Sequence, residues 1–172
     1  SKYRLRVMPS YDKNSPEYLF QKKTGLKIGK LLPGGNGKIY SLKDYPKRVV
    51  KIDGTLDVDD RRVLMGMIKY FKKNKTPVIV KLYQTVILRG GYHFYVMDRL
   101  KPLKNKWITG DKLSSYIYQE QVPPTESKQV KAFVRGTIAL QERYYYGDLH
   151  GGNIMRTKDE ALKLVDLESF TY

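Results

Sequence analysis

At 172 residues the chain is the size of one ordinary domain, and 41% hydrophobic residues suffice for a packed core. It has no cysteine, which excludes disulfides and thiolate metal sites and suits a reducing cytosol, and no apolar run of about 18 residues, which excludes a spanning helix. A net charge of +16 draws in anions of every kind, so nucleotides, nucleic acid, acidic protein faces and anionic lipid stay open beside a merely solvated basic surface.

The N-terminal SKYRLRVMPSYDK lacks the apolar stretch of a secretory signal. Residues 1–25 read as an extension with a short helix, because Ser15-Pro16-Glu17 is a cap followed by proline at the first helical position. From Leu26 to Ile52 the chain is β-rich, broken by turns at Pro33-Gly34-Gly35-Asn36-Gly37 and at Lys43-Asp44-Tyr45-Pro46-Lys47. Val63, Leu64, Met67, Ile68 and Phe71 fall on one face of a helix over Asp60–Phe71. Val78–Leu88 is rich in β-branched residues. Gly90-Gly91 turns it into Tyr92, Phe94 and Val96, which alternate as in a half-buried strand. Past Pro102 the pattern is helical, weakly over Trp107–Tyr118 and strongly over Lys128–Glu142, with Thr125 as the expected cap; a short strand at Ala161–Val165 ends at Asp166. Strands, one helix, more strands and then helices predict an α+β fold. The polar Lys101–Lys106 stretch is the expected lobe boundary.

The stretch most informative about chemistry is Tyr146-Gly147-Asp148-Leu149-His150-Gly151-Gly152-Asn153, followed by Leu162-Lys163-Leu164-Val165-Asp166-Leu167-Glu168. Two aspartates and an asparagine can be ordinary turn residues. Here a strong helix precedes them and a short hairpin separates them. That set resembles the catalytic loop and metal-binding segment of the protein-kinase-like superfamily, and GDLHxxN is also similar to the loop of aminoglycoside and choline kinases. The resemblance implies a bilobal fold with a β-rich N-lobe and hinge over 26–100 and a truncated helical C-lobe over 101–172. It implies Asp148 as the base that accepts the attacking hydroxyl's proton, and Asn153 and Asp166 as ligands of Mg2+ or Mn2+. His150 would stand near the transferred phosphate of ATP.

Upstream motifs follow in order. Arg48-Val49-Val50-Lys51-Ile52 resembles the third-strand VAIK motif, which makes Lys51 the phosphate-binding lysine, although a lysine ending a strand is more often solvated. Leu31 to Tyr40 resembles the glycine-rich loop, with Gly34 and Gly37 at two glycine positions and Leu32 replacing the first; alone, such a turn is usually a hairpin. By the same resemblance Leu32, Ile39 and Val49 bound the nucleotide and Met97 is the gatekeeper. The backbone of Asp98 to Leu100 meets adenine, and Met155 packs under the base. For the methionines, plain core packing fits as well. The helix after Lys51 has no glutamate to pair with it. Asp60, on its inward face, is the candidate partner, with Asp57 second, although acidic residues suit a helix N-terminus in any case.

Departures from the pattern narrow the reading. Gly147 replaces the catalytic-loop arginine that a phosphorylated activation loop neutralises. The chain stops at Tyr172, before an activation loop or APE motif, as either a fragment or a minimal kinase. It most resembles the reduced type III secretion effector kinases. The implied function is a protein Ser/Thr kinase independent of activation-loop phosphorylation, acting in the cytoplasm or in a host cytosol after secretion. Its substrate would be a folded host protein with an acidic face, met by the basic stretches Arg61–Lys81 and Arg99–Lys112. A small-molecule phosphotransferase is the alternative, and a pseudokinase or nucleic-acid-binding module, using fifteen tyrosines and the positive charge, is a third.

Overall fold

The computed structural model describes residues 11–33, 38–54, 57–88, 90–103, 108–147, 149–167 and, for backbone alone, 170–171. The chain divides into two compact units, one of residues 1–56 and 83–97, the other of residues 57–82 and 98–172. The division falls at Met97/Asp98, before the polar stretch expected to mark it.

Unit 1 is built on a five-stranded sheet in the order β1-β2-β3-β5-β4. Its strands are β1 (Ile28–Leu32), β2 (Lys38–Leu42), β3 (Tyr45–Asp53), β4 (Leu82–Ile87) and β5 (His93–Asp98). Helix α1 (Pro16–Thr24) begins as its residues dictate: the Ser15 hydroxyl accepts from the Tyr18 N–H, and Gly25 closes the helix at φ 74°. Residues 16–24 are not an appendage. Phe20 is fully buried and meets the Phe94 ring edge-on at 4.4 Å, joining a core of Ile28, Tyr40, Leu42, Val50, Ile52, Leu88 and Val96. Burying one such aromatic ring stabilises by about 1.5–3 kcal/mol. Glu17, also buried, accepts from the Tyr40 hydroxyl at 2.7 Å, which ties the helix to β2. β5 is not half-buried as its alternation suggests. His93 through Met97 are all buried, because β5 lies inside the sheet between β3 and β4.

Unit 2 holds helices α2 (Val58–Lys73), α3 (Gly110–Tyr118) and α4 (Lys128–Gln141). A three-stranded sheet orders β6 (Lys101–Pro102), β8 (Ile154–Arg156) and β9 (Leu162–Leu164), and β7 (Tyr145–Tyr146) pairs with β10 (Phe170–Thr171). α2 buries Leu64, Met67, Ile68 and Phe71, the face its periodicity predicts. It belongs to unit 2 because aromatic packing holds it there. Phe71 and Tyr70 lie 5.9 and 5.5 Å from the Tyr144 ring, and Arg143 sits over Tyr70. α4 is capped by Ser127, not Thr125: the Ser127 hydroxyl accepts from the Val130 N–H at 3.2 Å. The 78–80 segment extends the small sheet, pairing parallel with β9 through Ile79 and Leu164.

Candidate functional site

In unit 1 the sheet sorts the candidate residues by face. Successive strand side chains point to opposite sides, and directly paired residues share a side. Val50, Ile52, Tyr40 and Leu42 face α1. The opposite side therefore carries Val49, Lys51 and Asp53 of β3, with Ile39 paired to Lys51 and Leu32 paired to Ile39. On β5, Phe94 and Val96 join the α1-side core, which leaves His93, Tyr95 and Met97 on the Lys51 side. Leu32, Ile39, Val49, Lys51 and Met97 thus share one sheet face. Gly34 and Gly37 lie outside the described residues.

Lys51 is only 5% exposed, so its ammonium needs a counter-charge. One carboxylate beside it is Asp53, 3.1 Å away, two residues along the same strand and on the same face. His93 Nε2 lies 3.8 Å from the same carboxylate oxygen. Asp53 is thus a carboxylate beside Lys51 that the residue pattern does not single out. Asp57 caps α2 by accepting from the Asp60 backbone N–H at 2.8 Å. Asp53 was findable, since K-x-D on a strand places both charges on one side.

In unit 2 the candidate loop follows β7, whose Tyr146 is fully buried, as is Tyr144 before it. Asp148 lies outside the described residues. A short 3-10 turn, Gly151–Asn153, leads into β8, and the Val165 N–H donates to the Asn153 carbonyl at 3.1 Å. Asn153 and Asp166 therefore stand at the same end of the β8–β9 hairpin. Asn153 is 8% exposed, unusual for a loop amide. An amide and a carboxylate are hard oxygen donors, and together they fit a magnesium or manganese ion completed by phosphate and water. No cluster of three or more His, Cys, Asp or Glu side chains suited to a metal occurs among the described residues.

The His150 ring turns into this loop. Its Nδ1 accepts from the Gly152 N–H at 3.0 Å, and its Nε2 lies 3.1 Å from the Asn153 side-chain amide. With Nδ1 accepting, a neutral ring carries its proton on Nε2, so the contact is a hydrogen bond when the amide presents its oxygen. The ring thus lies against the Asn153 side chain and helps to hold it in place. Two glycines make the turn possible. A Cβ on Gly152 would come within 2.8 Å of the His150 ring, and one on Gly110, at the start of α3, within 2.2 Å of the Gly151 nitrogen. Gly110 escapes sequence reasoning because only the fold brings it to this loop. Of the adenine-side candidates, Asp98 ends β5 with its N–H on the Lys81 carbonyl at 3.1 Å, Leu100 follows it, and Met155 is half-buried opposite Pro102 and Lys163.

A β-rich unit with a buried lysine on its third strand, and a helical unit with a DLHxxN loop and an aspartate-ended hairpin, decide the architecture. The fold is protein-kinase-like. No known family profile matches the chain, and no curated protein matches it. Among solved structures it is similar to a double mutant of the kinase domain of PknI from Mycobacterium tuberculosis, with a TM-score of 0.56 and 15% identity. The match covers 87% of this chain and 62% of that one. At that identity the likeness speaks for the fold alone. No helix among the described residues is long and apolar enough to cross a membrane.

Proposed function

We propose that the chain is an ATP-dependent protein Ser/Thr kinase of the minimal, effector-like kind. One observation carries the reading: on a protein-kinase-like fold, Lys51 is buried near the end of β3 with a carboxylate already in place beside it. A buried strand lysine with no ligand to meet would be costly to keep, whereas a phosphate-binding one needs that orientation.

In this reading Lys51 holds ATP phosphate oxygens, steered by Asp53. Leu32, Ile39, Val49, Met97 and Met155 supply apolar surface for the base, and the Asp98–Leu100 backbone its hydrogen bonds. Asn153 and Asp166 hold the divalent ion, which supplies charge neutralisation on the phosphates when bound. His150 fixes the Asn153 amide. Asp148 takes the proton of the attacking Ser or Thr hydroxyl as its oxygen bonds to the γ-phosphorus and the bond to ADP breaks. Gly147 supports independence from activation-loop phosphorylation, since it leaves no loop arginine to be neutralised. The +16 charge supports a folded acceptor with an acidic face, met in a cytosol or host cytosol.

Incubating phosphatase-treated protein with radiolabelled ATP, Mg2+ and a eukaryotic lysate tests the proposal. A labelled protein band is the expected result. Label confined to small molecules would replace it with the aminoglycoside- or choline-kinase-type alternative, and the absence of any transfer with either Mg2+ or Mn2+ would remove it.

A further inference from the structure

Unit 2 carries a cationic feature none of whose residues belongs to the 146–153 loop, although Asp98 and Leu100, whose backbone is proposed above to meet the base, also line it. A cavity of about 600 Å³ opens where the end of α2, the 76–82 segment and the β8–β9 hairpin meet. Its lining includes four lysines, Lys72, Lys75, Lys81 and Lys163, against a single carboxylate, Asp98. Lys72 lies in the last turn of α2, where a cation complements the helix dipole. The other three lysines come from beyond that helix and meet it at this cavity.

Lys163 is the most confined of the four. It projects from β9, is half-buried, and donates to the Pro77 carbonyl. Burial pushes its ammonium below the usual lysine range, and only the charge of Asp98 acts the other way. A partly desolvated cation among three more is a place where an anion gains the most and repulsion is relieved. Aliphatic lysine stems and apolar side chains such as Leu82 complete the lining, which suits an organic body carrying the charges. The volume lies within the roughly 300–1,000 Å³ of small-molecule sites. A nucleic acid strand would instead need a basic groove long enough to track its backbone.

We propose that this cavity is a binding site for a small organic polyphosphate, made by lysines that the phosphotransfer reading does not use. The test is calorimetric titration of the full chain with myo-inositol hexakisphosphate and, separately, with inorganic tripolyphosphate, at about 0.15 M salt so that diffuse attraction is screened. One saturable site is expected, tighter for the organic ligand. Lys72→Gln/Lys75→Gln, on exposed positions, and Lys163→Gln should each weaken binding by about tenfold or more. Lys51→Met and the α1 control Lys22→Gln/Lys23→Gln should leave it unchanged. Several outcomes would overturn the proposal: no saturation, loss in Lys51→Met, or equal loss in the α1 control. So would tripolyphosphate matching the organic ligand, or a short single-stranded oligonucleotide binding more tightly than both.

Discussion

Lys51 and Asp53 form an ion pair 3.1 Å long within a single strand, with His93 of the neighbouring strand beside the same carboxylate. A carboxylate borne on a separate helix can be withdrawn when that helix moves. One carried two residues along the same strand cannot. The spacing of this pair is therefore set by β3 itself.

Asp53→Asn should lower phosphotransfer by about tenfold or more, chiefly by raising KM for ATP, because it removes a full negative charge 3.1 Å from the buried ammonium. Asp60→Asn should stay within about twofold, since a first-turn aspartate contributes only a dipole interaction of about 0.3–1 kcal/mol. Steady-state kinetics on the two variants decide between the partners. Equal losses would return the role to Asp60.

The same pair should be visible in stability. Removing one partner of a buried pair costs about 3–5 kcal/mol, whereas removing both costs less than the sum. Asp53→Ala, Lys51→Met and the double variant, compared by urea unfolding, should show a coupling of at least about 1 kcal/mol. Additive losses would mean that Lys51 and Asp53 do not interact in solution.

Much of this architecture is legible from residues. The 3.6-residue period marks Leu64, Met67, Ile68 and Phe71 as the buried face of α2, and the Ser15-Pro16 start of α1 lies where the capping pattern predicts it. Strand alternation also suffices to gather Leu32, Ile39, Val49 and Lys51 on one side of the sheet once the pairing is known. Other features depend on tertiary structure. Thr125 and Ser127 are both competent caps, and only the path of the loop selects Ser127. The His150 ring meets Gly152 and Asn153 because of a 3-10 turn that no periodicity reports. The grouping of α2 with unit 2 rests on the Tyr144 aromatic cluster, which is distant in sequence.

Tyr40 and Glu17 give a pH signature. Burial, first, and the hydrogen bond to Glu17 raise the Tyr40 hydroxyl above the ordinary tyrosine value of 10.0. The folded state thus retains a proton that the unfolded chain loses above about pH 10. The stabilisation is full below that pH and is lost as pH rises towards the folded-state value. Tyr40→Phe should cost about 1–3 kcal/mol near neutrality, because buried Glu17 loses its shortest partner. The gap between variant and parent, followed by urea midpoints, should then narrow above pH 10. A gap that widens there would contradict the assignment.

Asp148 and Asp166 should separate chemistry from metal binding. Asp148→Ala should abolish transfer while leaving ATP affinity within about threefold, because a proton acceptor acts mainly on the chemical step. Asp166→Asn should instead weaken the Mg2+ dependence of ATP binding. Isothermal titration with and without Mg2+ distinguishes the two, and unchanged transfer in Asp148→Ala would place the reaction elsewhere.

Gly110 offers a test of the loop that touches none of the proposed ligands. It starts α3, whose cap is Thr109, and a Cβ there would lie 2.2 Å from the Gly151 nitrogen and 2.6 Å from its Cα. Those atoms are backbone, so no side chain can rotate away, and either α3 or the 3-10 turn must move. Overpacking of this kind costs about 1–3 kcal/mol. Movement of the turn would carry His150 and Asn153 with it. Gly110→Ala should therefore reduce kcat by more than about tenfold at a temperature where the variant is still folded. Gly54→Ala, where a Cβ meets nothing within 4 Å, serves as the control and should retain full activity. A Gly110→Ala enzyme that loses stability but keeps its kcat would show that α3 yields and the turn does not, detaching this contact from the chemistry.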